Sequence, residues 1–599
     1  MIETYKKLWA ILDTRERRNA LLLLGLMILM GMFEVAGIAS IMPFLAVVSD
    51  ADIVQRNEWL NWAYRFFGYS DEREFLWFLG AAVFILIICS QMLKVVTFWT
   101  IARYTHFRSF TFSSRLLRSY LRRPYSWFLN NHTADLGKSV LSEVQEVVNQ
   151  SLIPSVQLMA NLILVSLLVG LLLVVEPIVA ITALMTLGGA YFLVYLAFKK
   201  YLTRIGVDRV TSNRQRFQSA QEVLSGIKDV KMFGLESEYL RVYRSPARRF
   251  AHTQANNQII GLLPRFLLEG IAFGGMLIVV LIHLDRPTTD GATIFPLIGL
   301  YALAGYRLMP ALQKLYRSLT KMRFGKHALD SLYQDLAQTS ISQPVPAGVS
   351  QDGRLPVERQ IALKEVTYAY PEAERATLEN FNLCVPALNT VALVGATGSG
   401  KTTVADILLG LLRPQQGAVM VDAETVTESN LRNWQQSLGY VPQSIFLTDD
   451  TVAGNIAFGV RENEIDMEAV EQAARLAELH EFVTREMPQG YQTMVGERGV
   501  RLSGGQRQRI GIARALYHDP DTLILDEATS ALDNLTEKAI MDAVHNLSHK
   551  KTIVMIAHRM STVRECDILY LLDGGQVVAQ GSYDDLLASN EQFQSIVNG

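Results

Sequence analysis

Four apolar residues, Val391-Ala392-Leu393-Val394, run directly into Gly395-Ala396-Thr397-Gly398-Ser399-Gly400-Lys401-Thr402, with Thr403 next. A short buried-strand pattern, a glycine-rich loop and a helix start make a phosphate cradle. Glycines let backbone N–H groups wrap anionic oxygens at the helix N-terminus. In such a loop Lys401 neutralises the β- and γ-phosphates of ATP, and the Thr402 hydroxyl reaches Mg2+. A carboxylate must complete the metal site. The hydrophobic run Thr522-Leu523-Ile524-Leu525 ends in Asp526, 125 residues beyond Lys401, which can hold Mg2+ directly or through water. Glu527 follows it and is placed to polarise an attacking water as general base. The bland alternative for an Asp-Glu pair is a solvated strand end.

A second anion-binding turn follows from Leu502-Ser503-Gly504-Gly505-Gln506, with Arg507-Gln508-Arg509 after it. One domain already has its phosphate loop, so this turn makes sense as a cap on the nucleotide held by a partner subunit. Together these segments resemble the ATP-binding-cassette (ABC) transporter family, whose signature is that pentapeptide. The resemblance implies further roles. Tyr370 in Tyr368-Ala369-Tyr370-Pro371 is similar to the aromatic that stacks on adenine, with Tyr368 the weaker choice. Gln443 in Tyr440-Val441-Pro442-Gln443 matches the glutamine that senses Mg2+ and the attacking water. Gly496-Glu497-Arg498-Gly499 matches an exporter-specific loop, Ser530-Ala531-Leu532-Asp533 a dimer-facing loop, and His558 the histidine that senses the γ-phosphate. None of these motifs is degenerate, and the chain carries half the membrane helices of a full exporter. A homodimer with two competent sites is expected.

These residues must be positioned by a protein of two kinds of composition. The 599 residues are 50% hydrophobic and 19% charged, with a positive mean hydropathy. The expected fold class is a six-span α-helical exporter domain followed by an α/β P-loop ATPase: residues 1–338, a linker at 339–356 rich in Ser, Pro, Gly and Gln, and 357–599. A spanning helix needs about 20 apolar residues, and such runs lie near 20–48, 75–102, 151–175, 178–198, 259–284 and 292–315. Twenty-four Lys and Arg fall on the side of the N-terminus and the two long connections, against four on the other. The positive-inside rule then puts both termini on the cytoplasmic side, and the resemblance to bacterial exporters implies that the membrane is the bacterial inner membrane. Segments 128–136 and 222–233 sit where the long hairpins should turn and, by the family resemblance, are coupling helices. The net charge of −2 argues against a nucleic-acid partner. Three scattered cysteines suggest neither a metal knuckle nor a disulfide framework.

Three basic residues, Lys94, Arg265 and Arg307, interrupt the apolar spans. At 1.5 Å per residue they share a depth of roughly 24–29 Å below the outer face, which suggests a positive ring along a substrate path; snorkelling to headgroups is the alternative. Glu269, one turn from Arg265, could pair with it, and Glu34 has no partner that spacing identifies. Between the first two spans, Trp59, Leu60, Trp62, Ala63, Phe66 and Phe67 recur at helical spacing among charges, suiting a membrane interface. With Pro264-Arg265-Phe266-Leu267-Leu268-Glu269, this looks like the bacterial lipid-linked oligosaccharide flippases of protein glycosylation clusters. That resemblance implies a polyprenyl-pyrophosphate cargo, an outer helix engaging the lipid tail, and basic residues attracting the pyrophosphate. Export of lipid A, a peptide or a drug is the alternative.

Overall fold

The computed structural model describes residues 2–49, 53–69, 71–175, 177, 181, 185, 188–284, 291–337, 353–371, 373–527, 534–557 and 559–598. The chain divides into two compact units: 1–123 with 131–343, and 124–130 with 344–599. The linker expected at 339–356 lies largely outside the described residues, as do Ser530–Asp533 and His558.

The first unit is helical. An entry helix α1 (Ile2–Ile11) buries Leu8 and Ile11, and α2 (Thr14–Ala39) opens with the Asp13 N–H donating to Glu16 at 2.9 Å. The first apolar run was expected to be one span over 20–48, but α2 ends at Ala39 and α3 (Ile41–Ser49) begins anew. Pro43 is the physical reason. Its ring crowds the carbonyl four residues back, on Ala39, and its missing N–H removes one helical bond, so a break falls readily here, and the first turn of a new helix accepts proline. A single turn (Ile53–Arg56) leads to α4 (Glu58–Phe66), capped by the Asn57 side chain accepting from the Trp59 and Leu60 N–H groups.

Helix α5 (Glu72–Leu121) has 50 residues, about 75 Å, well beyond the ~30 Å hydrocarbon core. It therefore projects far outside a bilayer. Its chain then bends through Pro124 into α6 (Tyr125–Leu129). This short helix, which belongs to the second unit, starts three residues before the 128–136 expected, because Pro124 is itself extended, cannot continue α5 and stands at the N-cap of α6. The returning helix runs from Thr133–Lys138 through two π-helical turns, Ser139–Glu143 and Val148–Leu152, into α7 (Ile153–Val175). The second hairpin comprises α8 (Gly189–Ser225), α9 (Ile227–Phe233) and α10 (Glu236–Leu284), with Gly234 left-handed at the end of α9. Helix α11 (Gly291–Phe324) and α12 (Lys326–Ala337) complete the unit. The fourth expected span falls partly outside the described residues. Among those described, three stretches are long and apolar enough to cross a membrane: 14–39, 73–121 and 133–174.

Helix α2 packs on α5 and α7, α8 packs on α10 and α11, and α7 packs on α11. Leu164, Val165 and Leu168 meet Leu308, Leu312 and Tyr316 there. Below them a buried ion network ties the hairpins. Arg209 on α8 donates to Glu143 at 2.7 Å, and the Asn213 amide donates to the same carboxylate at 2.8 Å.

The second unit has two sheets. Four strands lie in the order β2-β1-β4-β5: β1 (Gln360–Tyr368), β2 (Leu378–Pro386), β4 (Gln416–Val421) and β5 (Glu424–Thr425). The other sheet has six in the order β10-β9-β3-β8-β7-β6: β3 (Thr390–Gly395), β6 (Leu438–Val441), β7 (Thr522–Asp526), β8 (Thr552–Ile556), β9 (Ile568–Asp573) and β10 (Gln576–Gly581). All neighbours in it are parallel except β9 and β10. Strands β7 and β8 are buried at every position, as expected where both faces of a parallel sheet are covered.

Candidate functional site

Strand order assembles the site. Because β3, β8, β7 and β6 run parallel and side by side, their C-terminal ends share one edge of the sheet. Ligands of open parallel sheets bind along that edge. The loop 395–402 leaves β3 there, Asp526 ends β7, Glu527 follows it, and Gln443 comes two residues after β6. His558, two residues after β8, lies outside the described residues.

The loop needs its glycines. Gly398 and Gly400 have φ of +85° and +100°, and a Cβ on Gly395 would sit 2.2 Å from the Leu572 carbonyl oxygen. Helix α13 (Lys401–Leu408) starts at the loop's end. The buried Lys401 ammonium donates to the carbonyls of Gly395 at 2.8 Å and Ala396 at 2.9 Å, so the lysine curls under its own loop. Burial pushes its pKa down, opposed by the charges of Glu527 and Asp526. Asp526 is buried, and Glu527 sits at φ 48°, a strained conformation for a non-glycine residue. The Gln443 amide donates to Glu527 Oε2 at 2.6 Å, joining two groups 84 residues apart. No group of three or more His, Cys, Asp or Glu side chains is poised for a metal among the described residues. A cation here would draw on Thr402, Asp526 and Gln443 together with phosphate oxygens, and the buried carboxylate of Asp526 beside a cationic lysine fits that donor set.

The two tyrosines separate clearly. Tyr368 is buried in the core, edge-on to Tyr370 at 5.2 Å, while Tyr370 is half-buried with its hydroxyl 3.1 Å from Thr403 Oγ1. Tyr370 thus stands beside the start of α13 and remains partly accessible. The signature turn is a capping box: Ser503 Oγ accepts from the Gln506 N–H at 3.2 Å, and Gln506 Oε1 accepts from the Ser503 N–H at 2.8 Å. It opens α14 (Gly504–Leu516), leaving the Gly504 and Gly505 N–H groups at a helix start. Among the described residues, no hydrogen bond or ion pair joins 395–402 to 503–506.

Two residues at the site were not singled out from the sequence. Arg514, on α14, donates to the carbonyls of Phe446 and Asn455 at 2.8 Å each and lies over the Phe458 ring. It braces the segment just after Gln443. Its one signal is an arginine at an otherwise apolar position of the helix. Asp406, on α13, is pushed up to about 6 by burial and by Asp526. A carboxylate raised in the fold destabilises it when ionised: the cost is absent below about pH 4 and complete above about 6. Asp406→Asn is expected to stabilise the protein at pH 8 by about 1–3 kcal/mol, the gain shrinking to nothing near pH 4. Thermal unfolding of both proteins across that range checks it; a pH-independent difference contradicts the burial argument. Tyr125 of α6, which belongs to this unit, is also raised, by burial and by the proximity of Asp406 and Tyr370.

In the helical unit two of the three cations of the expected ring have carboxylate partners. Lys94 donates to Glu34 at 2.8 Å and Arg265 to Glu269 at 2.7 Å. Two of the three cations are therefore charge-compensated, and Glu34 has the partner that spacing did not reveal; the Arg307 side chain lies outside the described residues. Helix α4 turns Leu60, Ala63 and Tyr64 inward against Val47, Val54 and Phe75, and leaves Trp59, Trp62, Phe66 and Phe67 exposed. The Trp62 and Phe66 rings stack at 5.1 Å.

Residues 378–530 match the family profile described as ABC transporter, and 21–281 the profile described as ABC transporter transmembrane region. An ATP-dependent lipid A-core flippase of Cupriavidus pinatubonensis is 32% identical over 483 residues, 80% of each chain. A flippase of the same description from Alkalilimnicola ehrlichii is 35% identical over 419 residues, 68% of each. A solved structure of a bacterial Atm1-family ABC exporter with ATP bound superposes with a TM-score of 0.76 at 23% identity, covering 98% of both chains.

Proposed function

The chain belongs to the ABC transporter family, as an exporter subunit that couples ATP hydrolysis to transport across a membrane, and from that premise we propose that it flips an anionic lipid, a polyprenyl-pyrophosphate-linked oligosaccharide. The observation that carries this reading is α4, an interfacial helix presenting four exposed aromatic rings. Trp and Phe on one face of a short helix hold it at the boundary of headgroups and acyl chains, where a long lipid tail would stay in the bilayer while its headgroup crosses. A second reading, flipping of lipid A, is favoured by the relatives of that description.

In this proposal Tyr370 stacks on adenine and the 395–402 backbone wraps the phosphates. Lys401 leaves its own carbonyls for the β- and γ-phosphates. Glu527 takes the proton of the attacking water, its carboxylate held in place by Gln443, and His558 meets the γ-phosphate. Mg2+ held by Thr402, Asp526 and Gln443 would neutralise charge between the phosphates. Ser503, Gly504, Gly505 and Gln506 cap the nucleotide of a second copy, so the working unit is a homodimer. Support comes from α9, whose Ile227, Met232 and Phe233 are exposed in the single chain, apolar surface that a partner would cover. Both termini and the ATPase are assigned to the cytoplasm, with domains at 1–338 and 357–599.

Proteoliposomes loaded with labelled undecaprenyl-pyrophosphate oligosaccharide or labelled lipid A test the cargo. ATP-dependent flipping of the first supports the proposal; flipping of lipid A alone replaces it. Substituting serine for Trp59, Trp62, Phe66 and Phe67 removes rings each worth about 1.5–3 kcal/mol of burial. Stimulation of ATPase by the polyprenyl lipid is expected to vanish while basal hydrolysis persists. If stimulation is unchanged, α4 is a structural cap.

A further inference from the structure

Within a bilayer an isolated ammonium is costly, and a carboxylate beside it lowers that cost. Glu34 on α2 and Lys94 on α5 form such a pair across two helices 60 residues apart in sequence. The partners differ in surroundings. The Glu34 side chain is 6% exposed and the Lys94 side chain 40%. The carboxylate is thus fixed among packed helices while the ammonium keeps an open side. An ammonium has three N–H donors, and one of them reaches Glu34 Oε1. A phosphate oxygen can therefore bind Lys94 from the open side before the Glu34 contact breaks. The lysine stem has the freedom for this exchange because four carbons separate its charge from the backbone.

Arg265 repeats the arrangement with Glu269 at 2.7 Å, one turn away on α10. That pair lies on one helix surface, where i,i+4 contacts are weak and readily exchanged. Neither cation faces the membrane interior uncompensated.

We propose that Glu34 is a displaceable counter-ion for Lys94: it neutralises the lysine when the path is empty and gives it up to the phosphate or pyrophosphate of an incoming lipid. The inference rests on the anionic-cargo reading. It makes Glu34 a specificity-determining residue, since a neutral headgroup cannot compete for the ammonium and a phosphate can. Glu34 also sets release, because it reclaims Lys94 once the headgroup leaves.

The test uses the full-length protein in phosphatidylcholine nanodiscs, with ATPase stimulation titrated by undecaprenyl pyrophosphate, lipid A and undecaprenol. Wild type is expected to respond to one of the two phosphate-bearing lipids and not to the alcohol; which of them responds identifies the source of the anion. Glu34→Gln removes the competitor, so half-saturation by the responding lipid should fall about fivefold, the scale of one partly exposed ion pair. Lys94→Gln should raise it by a similar factor, and the double variant should match Lys94→Gln. Glu34→Asp, which keeps the charge on a shorter stem, serves where Glu34→Gln does not fold, and should give a smaller fall. If neither phosphate-bearing lipid stimulates the wild type, the cargo reading fails and the proposal with it. If one does and Glu34→Gln or Glu34→Asp leaves half-saturation unchanged, the counter-ion role alone is overturned. Loss of thermal stability in each single variant, restored in the double with unaltered half-saturation, marks the pair as purely structural.

Discussion

Glu527→Gln is expected to reduce steady-state ATP hydrolysis by about 10²–10⁴-fold, the range for removing a general base, while nucleotide still binds. The amide has the shape of the carboxylate and can still meet the Gln443 side chain, which donates to Glu527 Oε2 at 2.6 Å. What it cannot do is accept a proton from water. The left-handed backbone at φ 48° is imposed on either residue by the end of β7 and by the Glu527 N–H donating to the Ile556 carbonyl, so the substitution leaves local geometry intact. Rapid-quench ATPase assays beside equilibrium nucleotide binding separate the two effects. Turnover within tenfold of wild type removes Glu527 from the role of base.

Lys401→Ala should act one step earlier, weakening ATP binding by about 10–100-fold, the loss of charge-assisted hydrogen bonds worth roughly 1.5–3 kcal/mol. Its bonds to the Gly395 and Ala396 carbonyls are given up when ATP binds, so their absence in the variant offsets a small part of that loss. Lys401→Arg is expected not to rescue binding, because the buried side chain would have to hold a larger, planar guanidinium where a compact ammonium sits. The same variant tests subunit composition. Dimers pairing one Lys401→Ala chain with one Ser503→Ala chain keep one undamaged site if each site is shared between chains, and none if sites are self-contained. Nucleotide occupancy of purified mixed dimers distinguishes these outcomes, and zero occupancy at normal affinity overturns the shared site.

Legibility of this protein follows sequence distance. The phosphate loop could be read because strand, loop and helix start are contiguous in 391–403. The end of β7 could be read because a run of buried residues stops at two carboxylates. Their meeting at one sheet edge could not, since the order β3-β8-β7-β6 is set by pairing of strands that lie up to 163 residues apart. Hydropathy marked the first apolar run but averaged over Pro43, the one residue that divides it. The charges inside the membrane helices were visible and their sum was not: Lys94 finds Glu34 through the packing of α2 on α5, and no periodicity within either helix encodes that neighbour. Arg265 and Glu269 are the contrast, because four-residue spacing on a helix already places them together. Asp406 and Arg514 owe their character to burial in the folded unit.

The network of Arg209, Asn213 and Glu143 bears on how the protein is made. Glu143 is synthesised 66 residues before the cation that neutralises it. A nascent chain that has emerged only through its first long hairpin therefore holds a carboxylate without its hydrogen-bonded cation, and burying it in that state costs several kcal/mol or requires it to take up a proton. Burial of Glu143 is therefore favoured only once α8 arrives with Arg209 and Asn213. A chain cut short before Arg209 is expected to pack its first half less stably than the full-length protein does, which limited proteolysis of the two checks.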